Sequence, residues 1–238
     1  MSEENKKTIE VYKKTAHLYL ANSKKHDELD LEKARKKQEK LHGFIKKNLD
    51  TIPNGSKVFE IGSGDGSNSK YIKSLGYDVT ASDVADDFIN ASKSHGLKTI
   101  KFDVLENEFP EKYSAIFAWR VFVHFTKSDA LAIINKVYNA LEENGVFIFN
   151  VMNRENKNVE NEWVDFEGEY HMGVERYYNY FYKNDLDEMI NQTKFKIESF
   201  HTEGGECKNK WLVYVLKKWY NKIKTEVCLW AHFCFLLQ

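Results

Sequence analysis

Ten residues constrain this chain more than any others: Val58-Phe59-Glu60-Ile61-Gly62-Ser63-Gly64-Asp65-Gly66-Ser67. An apolar run enters a glycine-dense bend, and a helical pattern follows it. Glycines at this density mark backbone at positive φ, or backbone that another group must approach without a Cβ between them. A strand, a tight turn and a helix N-terminus in that order form the unit from which parallel α/β sheets are built. The spacing is G-x-G-x-G, with Ser67 where a dinucleotide fingerprint would place its third glycine. Glu60 and Asp65 lie in or beside the bend, where they would repel a pyrophosphate. The turn therefore suits a ligand carrying positive charge and hydroxyls.

Two further strand candidates end in acids. Asp78-Val79-Thr80-Ala81-Ser82-Asp83 places Asp83 at the distance where Rossmann-type folds set a carboxylate on a ribose. Thr99-Ile100-Lys101-Phe102 runs into Asp103. In an open parallel sheet, ligands bind at the carboxyl ends of the strands. Glu60, Asp83 and Asp103 are thus expected around one cleft.

In these residues, from Val58 to about Asn150, the chain resembles the class I S-adenosylmethionine-dependent methyltransferases. Their first motif is an acid followed by G-x-G-x-G, matched here by Glu60 to Gly66. Glu60 stands where the family more often has Asp, a reach longer by one methylene. The resemblance implies that Glu60, Gly62, Ser63, Gly64 and Gly66 hold the methionine part of the cofactor. It implies that Asp83 holds the ribose, with Val84 against the adenine. Asp103 and Val104 fall at the adenine edge, and Trp119 beside the cofactor at the end of the fourth strand. Tyr12 and Tyr19 lie on a first helix of the kind that covers the cofactor in related small-molecule enzymes, and Tyr19 is the candidate for the methionine carboxylate. S-adenosylmethionine, with S-adenosylhomocysteine as product, is the implied cofactor, and no metal is expected.

The rest of the chain fits an α/β, Rossmann-like, doubly wound fold. A mostly parallel seven-stranded sheet with helices on both faces and an antiparallel edge is expected. Residues 6–49 read as helix interrupted near His26 to Asp30, which makes 1–50 an N-terminal helical cap. Strand and helix then alternate: helices at 67–75 and 86–94, a strand at 113–119, a helix opened by Ser128 and stopped at Asn144-Gly145, and a strand at 146–149. Within the main unit, 51–216, residues 153–173 show no clear period, and 151–182 reads as a substrate-side insertion. A helix at 185–192 and strands at 195–200 and 211–216 follow. The final stretch, 217–238, is a basic segment leading to the apolar Val227 to Leu237. It is too short to span a bilayer and suits membrane-surface contact or self-association.

Methyl transfer from a sulfonium is a direct displacement, so the acceptor side needs positioning and, for a protonated nucleophile, a base. His124, in the segment after the fourth strand, is read as a base or orienting group, with a purely structural role as the alternative. His171 is the second base candidate. Arg120 is read either as a hold on an anionic acceptor or as an ion-pair partner. Trp163, Tyr170, Arg176 and Tyr178 belong to an aromatic, charged stretch suited to an acceptor wall.

Composition narrows the function. With 35 Lys and Arg against 36 Asp and Glu, the net charge of −1 gives no basic field for nucleic acid. Three cysteines without a C-x-x-C pair argue against a disulfide framework or a structural zinc. The polar start of the chain has no signal-like apolar run, and a cytoplasmic address is expected. The acceptor is expected to be a small molecule attacked at oxygen, such as a sugar, lipid precursor or secondary metabolite. The rival readings are a tRNA or protein acceptor, and a non-catalytic binding domain on the same fold.

Overall fold

The computed structural model describes residues 1–165, 171–204 and 210–219. Two helices come first, α1 (Glu3–Leu29) and α2 (Leu31–Leu49). Asp30 divides them: its backbone leaves the helical region at φ −144°, and its carboxylate caps α2 by accepting from the Lys33 N–H. Alternation then runs β1 (Lys57–Ile61), α3 (Ser67–Ser74), β2 (Asp78–Asp83), α4 (Asp86–Ser94), β3 (Lys98–Lys101) and β4 (Tyr113–Ala118). It continues through a short 3-10 turn at Phe122–His124, α5 (Lys127–Ala140), β5 (Leu141–Asn153), β6 (Asn161–Val164), β7 (Arg176–Phe181), α6 (Lys183–Asn191), β8 (Lys196–Glu203) and β9 (Trp211–Lys217).

Strands β3, β2, β1, β4 and β5 lie side by side in that order, all parallel. The order reverses between β1 and β4, the switch point at which such sheets bind ligands. The edge beyond β5 is the antiparallel hairpin expected from the sequence. β9 inserts against β5, from Val146↔Lys217 to Met152↔Trp211, and β8 pairs outside it. These seven strands make the expected sheet.

A second hairpin, β6 with β7, adds to it. It joins the tip of β5 through Met152↔Tyr180 and Asn153↔Phe181. The sequence of the 151–182 segment hid these strands for a physical reason. Every residue of β7 is buried, so no in-out alternation is written in Arg176 to Phe181.

Two apolar layers cover the sheet. On one face Phe59, Ile116, Phe147, Phe149 and Tyr214 pack against α5 and α6 through Ile133, Ile134, Val137 and Leu186. On the other, Val58, Val79, Phe117 and Ile148 pack against Ile45, Leu49 and Ile72 of α2 and α3. Two boundaries differ from expectation. Thr126, not Ser128, caps α5, because its Oγ1 lies three residues ahead of the Asp129 N–H it accepts. The helix also ends at Ala140, and Asn144 takes a left-handed turn (φ 62°) inside the approach to β5. The basic and apolar segment 220–238 lies outside the described residues, as does Tyr170. Among the described residues no helix is long and apolar enough to cross a membrane.

Candidate active site

The glycine turn stands at the carboxyl end of β1, at the switch point. Gly62, Gly64 and Gly66 all have positive φ, at 65°, 55° and 83°. A Cβ on Gly62 would meet the Val121 side chain at 2.5 Å, and one on Gly66 would meet Ser92 Oγ at 2.7 Å. Those two glycines let protein pack against protein. Gly64 differs: a Cβ there would meet nothing within 4 Å. Its bare backbone borders open space, as a cradle for a ligand requires.

Asp83 braces this turn. It is 6% exposed, and its carboxylate accepts from the N–H groups of Gly64 (3.0 Å), Val84 (2.7 Å) and Ala85 (3.1 Å). Burial nonetheless raises its pKa to about 6. Ser63 sits behind the turn, its N–H on the Ser82 carbonyl and its hydroxyl 3.3 Å from that of Ser92. Val84 is half-buried beside Asp83. Asp103 lies just past β3, half-buried, with Oδ1 accepting the Leu105 N–H; Val104 beneath it is 4% exposed.

Glu60 is placed differently from its neighbours. Its side chain points under the turn toward α3, where Ser69 Oγ (2.5 Å) and Asn68 Nδ2 (3.3 Å) donate to it. It is 1% exposed, and burial pushes its pKa up to about 8 against the pull of those two donors. The sequence did not mark Ser69 for this role; its only signal is a hydroxyl on the inner side of the first helical turn after the bend.

Helix α1 lies across this edge of the sheet. Ala16, fully buried, packs on Ala85 and Phe88 at the start of α4, with Tyr12 and Tyr19 on either side. Tyr19 meets Phe88 edge-on at 5.6 Å. Tyr12 reaches deeper. Its hydroxyl is 2.9 Å from His124 Nε2, and the Asp83 charge is close enough to raise its pKa, behind the larger effect of burial. His124 Nδ1 is 2.8 Å from the Tyr177 carbonyl, which only accepts, so Nδ1 carries the proton and Nε2 accepts from Tyr12. Burial drives this ring down to about 4, helped by the nearby Arg176 charge. His124 is therefore neutral, with both nitrogens engaged.

Arg176 is wholly buried beside it. Its guanidinium carbon stands 5.7 Å from the rings of both Tyr12 and Tyr178, and its amino groups are 3.5 Å from Tyr12 Oη and from Asp165. Asp165 also accepts the Met172 N–H and pairs with His171 at 2.9 Å. His171 itself faces outward, its side chain 59% exposed. The structure thus brings Tyr12, His124, Arg176 and Tyr178 together next to Asp83. It sets His171 at the rim, and Trp163 outside, edge-on to Tyr177 at 5.8 Å. Asp165 was not marked in the sequence, because a single acid in an acidic stretch carries no spacing signal.

On the other side of the β4 tip, Trp119 stacks on Phe117 at 5.6 Å and leans on Phe44 of α2 at 5.9 Å. Its ring is committed to the α2 layer. Arg120 follows in left-handed backbone (φ 62°), its N–H on Asn150 Oδ1 at 2.6 Å and its guanidinium over the Trp211 ring at 5.4 Å. Among the described residues no group of three or more His, Cys, Asp or Glu is arranged to hold a metal.

Comparison with known proteins agrees with this geometry. The sequence model of the family described as a methyltransferase domain matches residues 33–199. A search of curated proteins by sequence gives no match. Among solved structures, the fold is similar to magnesium protoporphyrin IX methyltransferase from Synechocystis, a structure with bound S-adenosylmethionine. That match has a TM-score of 0.67 and 11% identity over 92% of this chain and 98% of that one. A S-adenosylmethionine-dependent methyltransferase from Methanosarcina mazei superposes with a TM-score of 0.63 at 14% identity, covering 72% of this chain and 96% of that chain. A protein from Pyrococcus horikoshii gives 0.62 at 17% identity over 79% and 92%. The family match over most of the chain, on a sheet whose switch point carries the glycine turn and its acids, places this protein among the class I S-adenosylmethionine-dependent methyltransferases.

Proposed function

We propose that this enzyme transfers a methyl group from S-adenosylmethionine to an oxygen of a small-molecule acceptor bound between α1, the β4 tip and the β6–β7 hairpin. The observation that carries the cofactor assignment is Gly64: left-handed, bordered by open space, and held by the carboxylate of Asp83. In this reading Asp83 takes the ribose hydroxyls, and Val84, Asp103 and Val104 form the adenine side. The turn from Gly62 to Gly66, with Ser63 behind it and Glu60 beneath, carries the methionine portion, and Tyr19 closes over it. Trp119 shapes the wall through its packing on α2 and does not need to touch the cofactor.

The bound cofactor supplies a methyl group on a positively charged sulfur. The chain's own residues bind, orient and exclude water, which is where most of the acceleration of such a displacement arises, up to roughly 7–11 kcal/mol. His124 fits an orienting role better than a base. A ring neutral down to about pH 4, donating to a carbonyl and accepting from Tyr12, holds the Tyr12 hydroxyl at the acceptor side. Arg176, Tyr178 and Arg120 line that side, with Trp163 as the outer wall. His171, exposed and 2.9 Å from Asp165, stands at the rim as the second base candidate. The small-molecule reading draws support from the burial of His124, Arg176 and Tyr178 on the acceptor side, and from the net charge of −1.

Calorimetry with S-adenosylhomocysteine tests the assignment. Asp83→Asn keeps the shape and loses the charge, so affinity should fall about 10- to 100-fold, the worth of charge-assisted bonds to buried hydroxyls. No binding by the wild-type protein would end the enzyme reading.

A further inference from the structure

Asn150 is a polar side chain in an apolar column. On its face of β5 it stands between Ile148 and Met152, with Val213 opposite on β9. Trp119 follows the last residue of β4, one past the Ala118↔Phe149 pair, as Asn150 is on β5. Asn150 is 1% exposed. Its Oδ1 accepts the Arg120 N–H at 2.6 Å, which fixes the orientation of the amide, since a main-chain N–H needs an acceptor. Its Nδ2 is left buried with no hydrogen-bond partner. A buried, unpartnered amide N–H donor of this kind opposes folding, and native chains keep few of them without a use. The residue it holds, Arg120, is one of two non-glycine residues with positive φ among the described residues, a second local cost at the same spot. Gly62 and Trp119 each lie two residues past the paired Glu60↔Phe117, and Asn150 one residue past Phe149, the partner of Ala118. Val121, next to Arg120, lies against Gly62.

We propose that the Asn150 amide, with the Arg120 turn it holds, is the recognition point for a carboxylate in the active site. The unmatched group is a donor, and its neighbour in the turn is a guanidinium, so the complement is an anionic oxygen. The amide lies beside the Arg120 main chain, so a carboxylate that reaches it displaces the left-handed Arg120 backbone. This inference rests on the cofactor reading above, and it goes beyond it by assigning a residue on β5, outside the glycine turn and the strand-end acids. A carboxylate has two sources here: the amino-acid end of the cofactor, or the methyl acceptor.

The test uses two cofactor probes. S-adenosylhomocysteine carries the carboxylate; 5′-methylthioadenosine is the same nucleoside without the amino acid. Calorimetry compares wild-type protein with Asn150→Asp, which keeps an acceptor for Arg120 and removes the donor. In parallel, the side-chain amide signals of Asn150 in 15N-labelled wild-type protein are followed, so the result does not depend on the variant folding. At least a tenfold loss of S-adenosylhomocysteine affinity with methylthioadenosine affinity unchanged, and amide signals that move only with the former, assign the donor to the cofactor. Unchanged S-adenosylhomocysteine affinity, with amide signals that move when acetate is added to the S-adenosylhomocysteine complex, assigns it to the acceptor. Amide signals indifferent to both overturn the proposal while leaving the cofactor reading intact. Failure of the wild-type protein to bind S-adenosylhomocysteine at all removes both.

Discussion

Glu60 and Asp83 are neighbouring buried carboxyls under opposite constraints. Asp83 takes three main-chain N–H bonds and rises only to about 6, whereas Glu60 has two side-chain donors and rises to about 8. Near pH 7.5 the ligand-free protein therefore keeps Glu60 mostly protonated and Asp83 almost wholly ionised. An ammonium brought close to Glu60 reverses the balance, because a nearby cation favours the charged form. Binding of S-adenosylhomocysteine at that pH should release more than half a proton per chain, read from the buffer dependence of the calorimetric heat. Glu60→Gln should release none. Equal release by both would place the proton on another group and leave Glu60 as a brace for α3 only. His124 runs the other way. Its folded pKa of about 4 lies below the ordinary 6.5, so the unfolded chain takes up a proton first as the solution is acidified. Stability from this ring is full above pH 6.5 and is lost as pH falls toward 4, by at most ~3 kcal/mol. His124→Gln should cost about 1–3 kcal/mol at pH 7.5 through lost hydrogen bonds. The gap between the two proteins in urea denaturation should narrow between pH 6.5 and 4. A gap that stays constant would mean the ring is already charged or solvated in the folded state.

At the scale of elements, the glycine turn separates two kinds of constraint. Gly66 precedes α3 and is packed by Ser92 and Leu97, while Gly64 faces open space. Gly66→Ala should combine left-handed strain with overpacking and lose roughly 2–4 kcal/mol. Gly64→Ala should lose only the strain, roughly 1–2 kcal/mol, yet weaken S-adenosylhomocysteine at least as much as Gly66→Ala does. Wild-type affinity in Gly64→Ala would show that the open space is not the cofactor's. Elements with one exposed edge or end were legible in the sequence. The β1 turn, the Asp83 strand end, α4 and the β8–β9 hairpin each carry a punctuating Gly, Asp or Ser. β7 was not, since six successive buried residues give no period, and nothing in the spacing marked Arg176 as a wholly buried cation. Asn150 also escaped notice, because an Asn at the end of Val146 to Phe149 reads as a strand terminator. Its meaning depends on Arg120, thirty residues away and one strand over.

For the molecule as a whole, α1 ties together parts that the sheet keeps separate. Ser2 at its start donates to Asp129 of α5, Thr8 Oγ1 accepts the Tyr177 N–H of β7, Tyr12 donates to His124, and Ala16 packs on α4. Among its described side chains only Asn5, Thr8 and Ala16 are buried, so polar contacts hold it more than apolar area does. Segments with so little buried apolar surface open at a small fraction of the global free energy. A ligand seated between α1 and the sheet edge should close that gap. At 100 times its dissociation constant, S-adenosylhomocysteine should stabilise the fold by about 2.7 kcal/mol and raise the melting temperature by roughly 5–10 °C for a chain of this size. Hydrogen exchange locates the gain. Without ligand, amides of α1 near Tyr12 and Ala16 should exchange much faster than those of β1, β4 and β5. With ligand they should slow together with the amides at Gly64 and Val84, because one closing event protects both. The strand amides, which open only in global unfolding, should slow by the global factor alone. Protection at Gly64 and Val84 with none in α1 would mean that the cofactor binds the sheet edge without the helix, and Tyr12 and Tyr19 would then have no part in the site.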